Sequence, residues 1–422
     1  MHHRLYSFLL LLLVASAYCE AQDAFPYVLP DEKPEREMSS AMHRFYDQWN
    51  GNAFESNELF STFKYTPVTG LDYCNDDGSI SRRDPSKVLK IDGTYYVWYT
   101  HRDTKSKPQG AKKCNETIPS YDWDLCEIWY AISTDGFHWE EQGVAIKRSK
   151  KPEPGHRSVS TPDILQWKGK YYLYYQAFFE APGLSGGDYC PVTVAVADSP
   201  KGPWKTAGKI VLENGKEGEW DQHAIHDPYP LIYKGIIYLY YKSRFDKQAN
   251  PKRIEQSQGL AIAEHPFGPF EKHPLNPVLN SGHETGFFPW KEGIASMTSL
   301  NGPEVNTIQY AADGVNFEIA AITEMMPIAP GPFVQDAFAN NGDGRGITWG
   351  LCHMNVGEHH GYSHCILARF DCDLSRDFNR RIFKKQQTRY TPEVFFKHGL
   401  DEQSMKAIRA KTKKEEDTVL NQ

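Results

Sequence analysis

This 422-residue sequence is short of positive charge. It has 47 Lys and Arg against 54 Asp and Glu, a formal net charge of −7, and no basic stripe alternates with aromatics. A nucleic-acid partner is therefore not expected. No apolar run is long enough to span a bilayer. The phosphate loop and the dinucleotide fingerprint are both missing, which removes two large enzyme classes. Cysteine is scarce, with eight in all, and no spacing among them forms a zinc site. No cofactor is required by anything in the chain, although the centre of the fold inferred below leaves room for a structural divalent cation.

The one apolar run of note, from Phe8 to Val14, follows His2, His3 and Arg4 and precedes Ala15-Ser16-Ala17. That order reads as a secretory signal over residues 1–21, and the mature protein is expected to be secreted or periplasmic. Tyr18 fits poorly the small residue that lipidation of Cys19 would want, so a lipid anchor is disfavoured. Export permits disulfides, and Cys114 and Cys126, flanking one loop, suggest a bridge. With Cys19 removed, seven cysteines remain, so at least one thiol is left free within the chain.

What is abundant is aromatic residues, 13% of the chain, and they recur in one phrase. A short apolar run carrying an acid or a histidine (RRDPSKVLKI, STPDILQW, HDPYPLIY, GHETGFFPW) leads into an aromatic strand such as GTYYVWYT, GKYYLYYQ or GIIYLYYKS. A third strand and turn follow, as in YAISTDGFHWEE and VAVADSPKGPWKTA. Self-similarity at this period, with several short strands per repeat, predicts an all-β, five-bladed β-propeller over residues 66–385. The fifth repeat is the least regular. GITWGLCHM and HCILARFDCDL supply its middle and outer strands, and its first strand falls within PGPFVQDAF. STDGFHW and AADGVNF read as Asp-Gly hairpin turns.

Residues 22–65 differ. A Pro-rich arm precedes EREMSSAMHRFYDQWN, which places Met42, Phe45 and Trp49 on one helical stripe behind a Ser39 or Ser40 N-cap. NELFSTF reads as a second short helix. Such helices must bury their stripe elsewhere, on the propeller or on a second subunit, and a homodimer through exchanged N-terminal helices is expected. Residues 386–422 read as a solvated helical tail.

In a propeller the first strand of every blade meets at the axis, where the repeat places Asp84, Asp163 and Asp227, with His283 in the fourth copy. Asp84 follows Arg82 and Arg83, so a cation keeps its carboxylate ionised, as suits a base. Acids around a closed polar funnel fit glycoside hydrolysis. A histidine among carboxylates holds its proton more firmly and can act as the acid. Asp336, Asn341 and Asp343 in DAFANNGDGRG are better read as an Asn/Gly turn than as a calcium loop.

The phrases SSAMHRFYDQW, NELFSTFKYTPVTGLDY, SRRDPSKVLKIDGTYYVWYT, RSVSTPDILQWKGKYYLYYQ, IHDPYPLIYKGIIYLYYKS and SGHETGFFPWKEGIAS, in this order, resemble glycoside hydrolase family 117. The resemblance implies an exo-acting, inverting hydrolase that releases 3,6-anhydro-L-galactose from the non-reducing end of neoagaro-oligosaccharides. It implies Asp84 as general base, His283 as general acid and Asp227 as a further acid of the pocket. It also implies sugar contacts at Trp129, Thr161, Gln176 and His226, with Arg83 and Glu284 flanking the catalytic groups. Asp163 stands where a Glu is expected, and lines the same pocket in this reading. Two rival readings are a same-fold glycosidase on another sugar, such as an arabinofuranoside or xyloside, and a non-catalytic sugar-binding propeller.

Overall fold

The computed structural model describes residues 23–47, 58–72, 77–185, 188–246, 255–334, 343–356, 361 and 364–384. The expected leader, Trp49, Cys74, Asp336, Asn341 and the C-terminal tail lie outside these residues. Apart from one helix, the regular structure described is β-strand, and no described helix is long and apolar enough to cross a membrane.

The described strands form four antiparallel sheets, the first three each built from neighbours in sequence. The first contains Ile80–Arg83, Leu89–Ile91, Thr94–Asp103, Glu127–Ser133 and Trp139–Ile146. The second contains Ser158–Trp167, Lys170–Phe178, Val192–Ala197 and Lys205–Leu212. The third contains His226–Tyr233, Ile236–Arg244, Gln256–Ala263 and Glu271–Lys272. The fourth has eight strands. Gly286–Lys291, Gly293–Thr298, Thr307–Ala311 and Glu318–Ile322 join Gly331–Pro332, Gly344–Val356 and His364–Ser375 through a short pairing at Trp290 and Arg345. Gly331–Pro332 is the first strand expected within PGPFVQDAF. The eighth member is Lys64–Pro67, which pairs Lys64 with Asp371 and Pro67 with Ala368. The first described strand thus closes the edge of the last described group.

Local chemistry explains the hairpins. Asp92-Gly93, Lys168-Gly169 and Lys234-Gly235 each link the first long strand to the aromatic one, and all six residues have positive φ, from 47° to 83°. Two successive positive φ values are the type I′ turn that matches strand twist. A Cβ at Gly93 or Gly169 would meet nothing within 4 Å, so conformation, not packing, calls for glycine there. In the expected Asp-Gly turns, the carboxylate oxygens of Asp135 and Asp313 each accept two backbone N–H bonds from the residues two and three further on.

The aromatic strands fill the space between sheets. One buried cluster joins the first sheet to the second through Trp98, Ile164 and Tyr175. Another joins the second to the third through Tyr174, Leu239 and Tyr241. A third runs from Tyr240 through Phe287 to Phe370. The last returns from Trp349 and Leu351 to Val97 and Tyr99 of the first sheet. The contacts therefore run in a cycle. Each fully buried apolar side chain contributes about 1.5–3 kcal/mol, so the ring is held by its interfaces.

Two expectations change here, the second helix and the Cys114–Cys126 bridge. Residues 58–63 of NELFSTF are turn and irregular chain, not a helix, because the segment feeds directly into strand Lys64–Pro67. The helix at Ser40–Tyr46, capped by Ser39 as expected, buries Met42 and Phe45 on its own chain, against the core of the second and third sheets. Ser39 Oγ donates to Pro277 O, and Arg44 pairs with Glu304 at 2.8 Å. Covered this way, the stripe needs no second subunit, although exchange between two chains would reproduce the same contacts. Finally, Cys114 and Cys126 are not bridged. The Cys126 thiol is turned to the carbonyls of Asp122 and Asp124, and that of Cys114 to Ala111.

Candidate active site

Five non-glycine residues share an uncommon backbone and one place in the fold. Asp84, Thr161, Asp227, Glu284 and Ala329 have φ of 50°, 48°, 53°, 56° and 48°. Four of them precede proline, and all five line a small opening at the centre of the ring. Left-handed backbone costs roughly 1–3 kcal/mol at such residues, so the surroundings must hold it. They do so from one sheet to the next. The N–H of Asp84 donates to His353 Nδ1 at 3.3 Å, that of Thr161 to Thr100 Oγ1 at 2.7 Å, and that of Asp227 to Gln176 Oε1 at 3.3 Å. In each case the acceptor sits on the second long strand of the preceding group. The N–H of Glu284 donates to the Asp227 carboxylate at 3.2 Å.

This corrects the expected alignment of repeats. The counterpart of Asp84 and Asp227 in the second sheet is Thr161, and in the fourth it is Glu284; His283 corresponds to Arg83 and His226. Asp163 lies two residues beyond Thr161 and does not line the large pocket. Its carboxylate is buried against the Lys87 ammonium, which also donates to Pro230 O and lies over the Tyr229 ring. Asp163 is a structural partner deep on the axis. Trp129 is also absent from the pocket. It lies on Glu127–Ser133 and stacks on His101 with ring centres 4.0 Å apart.

The other eight expected residues line one cavity of about 480 Å³: Arg83, Asp84, Thr161, Gln176, His226, Asp227, His283 and Glu284. Asp84 is nearly fully buried. Burial alone would favour its neutral form, but the Arg83 guanidinium, with Nε at 2.9 Å, holds the carboxyl well below the usual range. The hydroxyls of Thr100 and Thr161 donate to its Oδ2, each at 3.3 Å. Asp227 goes the other way. Burial raises its pKa, and although Lys242 at 2.7 Å opposes this, Glu284 and Asp84 add to the rise. Glu284 is brought down to about 2, against burial, by His353, His283 and Arg83. The His283 ring is partly open to the cavity. Its Nδ1 lies 3.3 Å from Asn301 Oδ1 and its Nε2 3.8 Å from Glu284. Burial and the Lys242 and Arg244 cations hold His226 neutral.

Sequence reasoning missed four contributors. His353 is fully buried on Gly344–Val356 and reaches both Asp84 and, at 3.6 Å, Glu284. Lys242 anchors Asp227. Tyr121 and Trp123 stack at 5.0 Å to form an aromatic wall, and Arg83 lies over Trp123. They belong to second strands or to a loop, where no motif marks them. Aligning the repeats on the residue before proline would have placed Thr161 correctly.

Asp84, Glu284 and His353 present donor atoms all within 4.8 Å of one another, and these residues could hold a cation. Arg83 already supplies positive charge to both carboxylates, at 2.9 and 2.8 Å, and the site needs no further counter-ion. Activity is expected to survive exhaustive dialysis against a chelator unchanged; a loss restored by calcium or magnesium would show that a metal is needed. Of the three polar residues singled out in DAFANNGDGRG, Asp343 is described, and it is paired with Arg345 and Arg376.

A comparison with family models matches residues 122–256 to glycosyl hydrolases family 43. No curated protein matches the chain. Among solved structures, a family 117 glycoside hydrolase produced by the marine bacterium Zobellia galactanivorans is 56% identical. It covers 81% of this chain and 99% of its own, with a TM-score of 0.74. A structure described as a glycoside hydrolase is 13% identical, covers 80% and 96%, and has a TM-score of 0.51; it bears on the fold alone.

Proposed function

The chain belongs to glycoside hydrolase family 117, and from that premise we propose an exo-acting, inverting hydrolase that releases 3,6-anhydro-L-galactose from the non-reducing end of neoagaro-oligosaccharides. We read its sheets as five blades around the axial cavity, and residues 1–21 as a leader that exports it. The observation that carries the reading is the opposed character of the groups in one cavity. Asp84 is held ionised by Arg83, while His283 lines the same cavity, partly open and with Asn301 beside its ring.

Inversion needs a base to activate water and an acid on the opposite face of the sugar to protonate the leaving oxygen. Asp84 takes the first role. Its Oδ2 receives Arg83, Thr100 and Thr161, which aim the carboxylate. His283 takes the second, with Asn301 fixing its ring. Asp227 is near the developing positive charge, and its bond to the Glu284 N–H ties the acid's neighbour to the same frame. Tyr121 and Trp123 offer an apolar face for a sugar ring. The experiment is to incubate the protein with neoagarobiose, carrageenan oligosaccharides and aryl arabinofuranosides and identify released sugars by chromatography. Arabinose or xylose alone would favour the rival sugar. No release from any of them, with binding intact, would favour the non-catalytic reading.

The acid limb of the pH–rate profile is expected from Asp227. A raised pKa means that its negative charge is lost as pH falls, above the ordinary carboxylate range, while Asp84 is still ionised. In Asp227→Asn the remaining activity should lose that limb and hold to lower pH. An unchanged limb would assign it to another group.

We further propose that two copies of this chain form a homodimer by exchanging the N-terminal segment that carries helix Ser40–Tyr46. Light scattering at micromolar concentration decides this; the mass of a single chain would leave the helix on its own propeller.

A further inference from the structure

The cations of the cavity can be matched to their counter-ions, and one is left over. Arg83 is shared among Asp84, Glu284 and Asp122, and Lys242 is paired with Asp227. Arg244 also lines the cavity and is half-buried, yet it has no hydrogen-bond or ion-pair partner among the described residues. The acid whose charge it influences inside the cavity, Asp188, is pushed by burial toward its neutral form and already accepts the Gly183 N–H at 3.0 Å. A guanidinium removed from bulk water without a partner is costly unless a ligand supplies one.

Its place on the strand says which part of a ligand it meets. Lys242 and Arg244 are two residues apart on Ile236–Arg244 and so share a face, about 7 Å apart. Lys242 stands opposite His226, whereas Arg244 lies beyond the start of the neighbouring strand, opposite Gln256. Arg244 therefore sits one step further from Asp227 than Lys242 does, on the scale of a single sugar ring. Beside it, Ser243 Oγ also lines the cavity and is buried without a partner.

We propose that Arg244, with Ser243, forms a subsite for an anionic substituent, a sulfate ester or a carboxylate, on the sugar next to the one released. This rests on the galactan substrate proposed above, the neoagaro-oligosaccharides, and extends it to chains whose adjoining galactose carries a charged group. An oxyanion would take the guanidinium in a bidentate, charge-assisted pair, which a neutral hydroxyl cannot match.

The test uses Asp84→Asn enzyme, so that binding is read without turnover. Calorimetry compares a sulfated galactan disaccharide with its desulfated form, and a uronate-bearing disaccharide with its reduced form. One charged member is expected to bind about ten- to hundredfold more tightly than its neutral partner, and which one identifies the anion. Adding Arg244→Gln should weaken the charged member about tenfold more than the neutral one, and Arg244→Lys should recover part of the loss. The preference should shrink as salt is raised. Equal binding within each pair, or equal weakening by Arg244→Gln, overturns the subsite and leaves the galactan reading standing. If no galactan disaccharide binds at all, both fall.

Discussion

Replacing Asp84 with Asn is expected to lower turnover by about 10²–10⁴-fold, the range a general base contributes, while leaving the fold and oligosaccharide binding intact. The substitution is close to isosteric, and the strained backbone at this position is held through its N–H by His353, which the change leaves alone. Arg83 keeps Glu284 and Asp122 as counter-ions, so no buried cation is stranded. What disappears is the negative oxygen that takes a proton from water. Sugar release should fall, while calorimetric binding and circular dichroism should stay near wild type. Activity within a few-fold of wild type would move the base to another residue.

The second large effect concerns His283. As the proton donor, it should make the rate fall on the alkaline side as the imidazolium loses its proton, and His283→Gln should remove that limb. Gln can keep a hydrogen bond to Asn301 but cannot deliver a proton. The loss should be about 10²–10⁴-fold on natural glycosides and much smaller on aryl glycosides, whose leaving groups need little protonation. Equal losses on both substrates would assign His283 to binding or structure.

The recurrent aromatic phrase made the sheets legible, because strand period and I′ turns are local properties of sequence. The last group was harder. Its first strand is only Gly331–Pro332, and its outer strand comes from Lys64–Pro67 at the other end of the chain, which no local pattern can announce. In the site, Asp84 and Asp227 were visible because each is an acid before proline in a repeat. Asp163 was misplaced because the repeat was aligned on its acids, whereas the ring is built on backbone conformation, which Thr161 and Ala329 share without being acidic. His353 and Lys242 were silent because their roles depend on which strand lies behind which. Trp129 shows the reverse error: an aromatic matched by family resemblance that the fold commits to His101.

The closing strand also sets an order of events during synthesis. Among the described strands, Lys64–Pro67 is the first to be made and its partner His364–Ser375 the last. Almost the entire sheet-forming chain must be made before the circle can lock, and such distant pairing is slow. Until then His364–Ser375 presents a bare edge that any extended strand can add to, including residues 64–67 of another copy. Two chains in that state can trade first strands and finish interlocked. Refolding at high chain concentration is then a contest between self-closure and mutual capture, and the yield of separately closed rings falls as molecules crowd together.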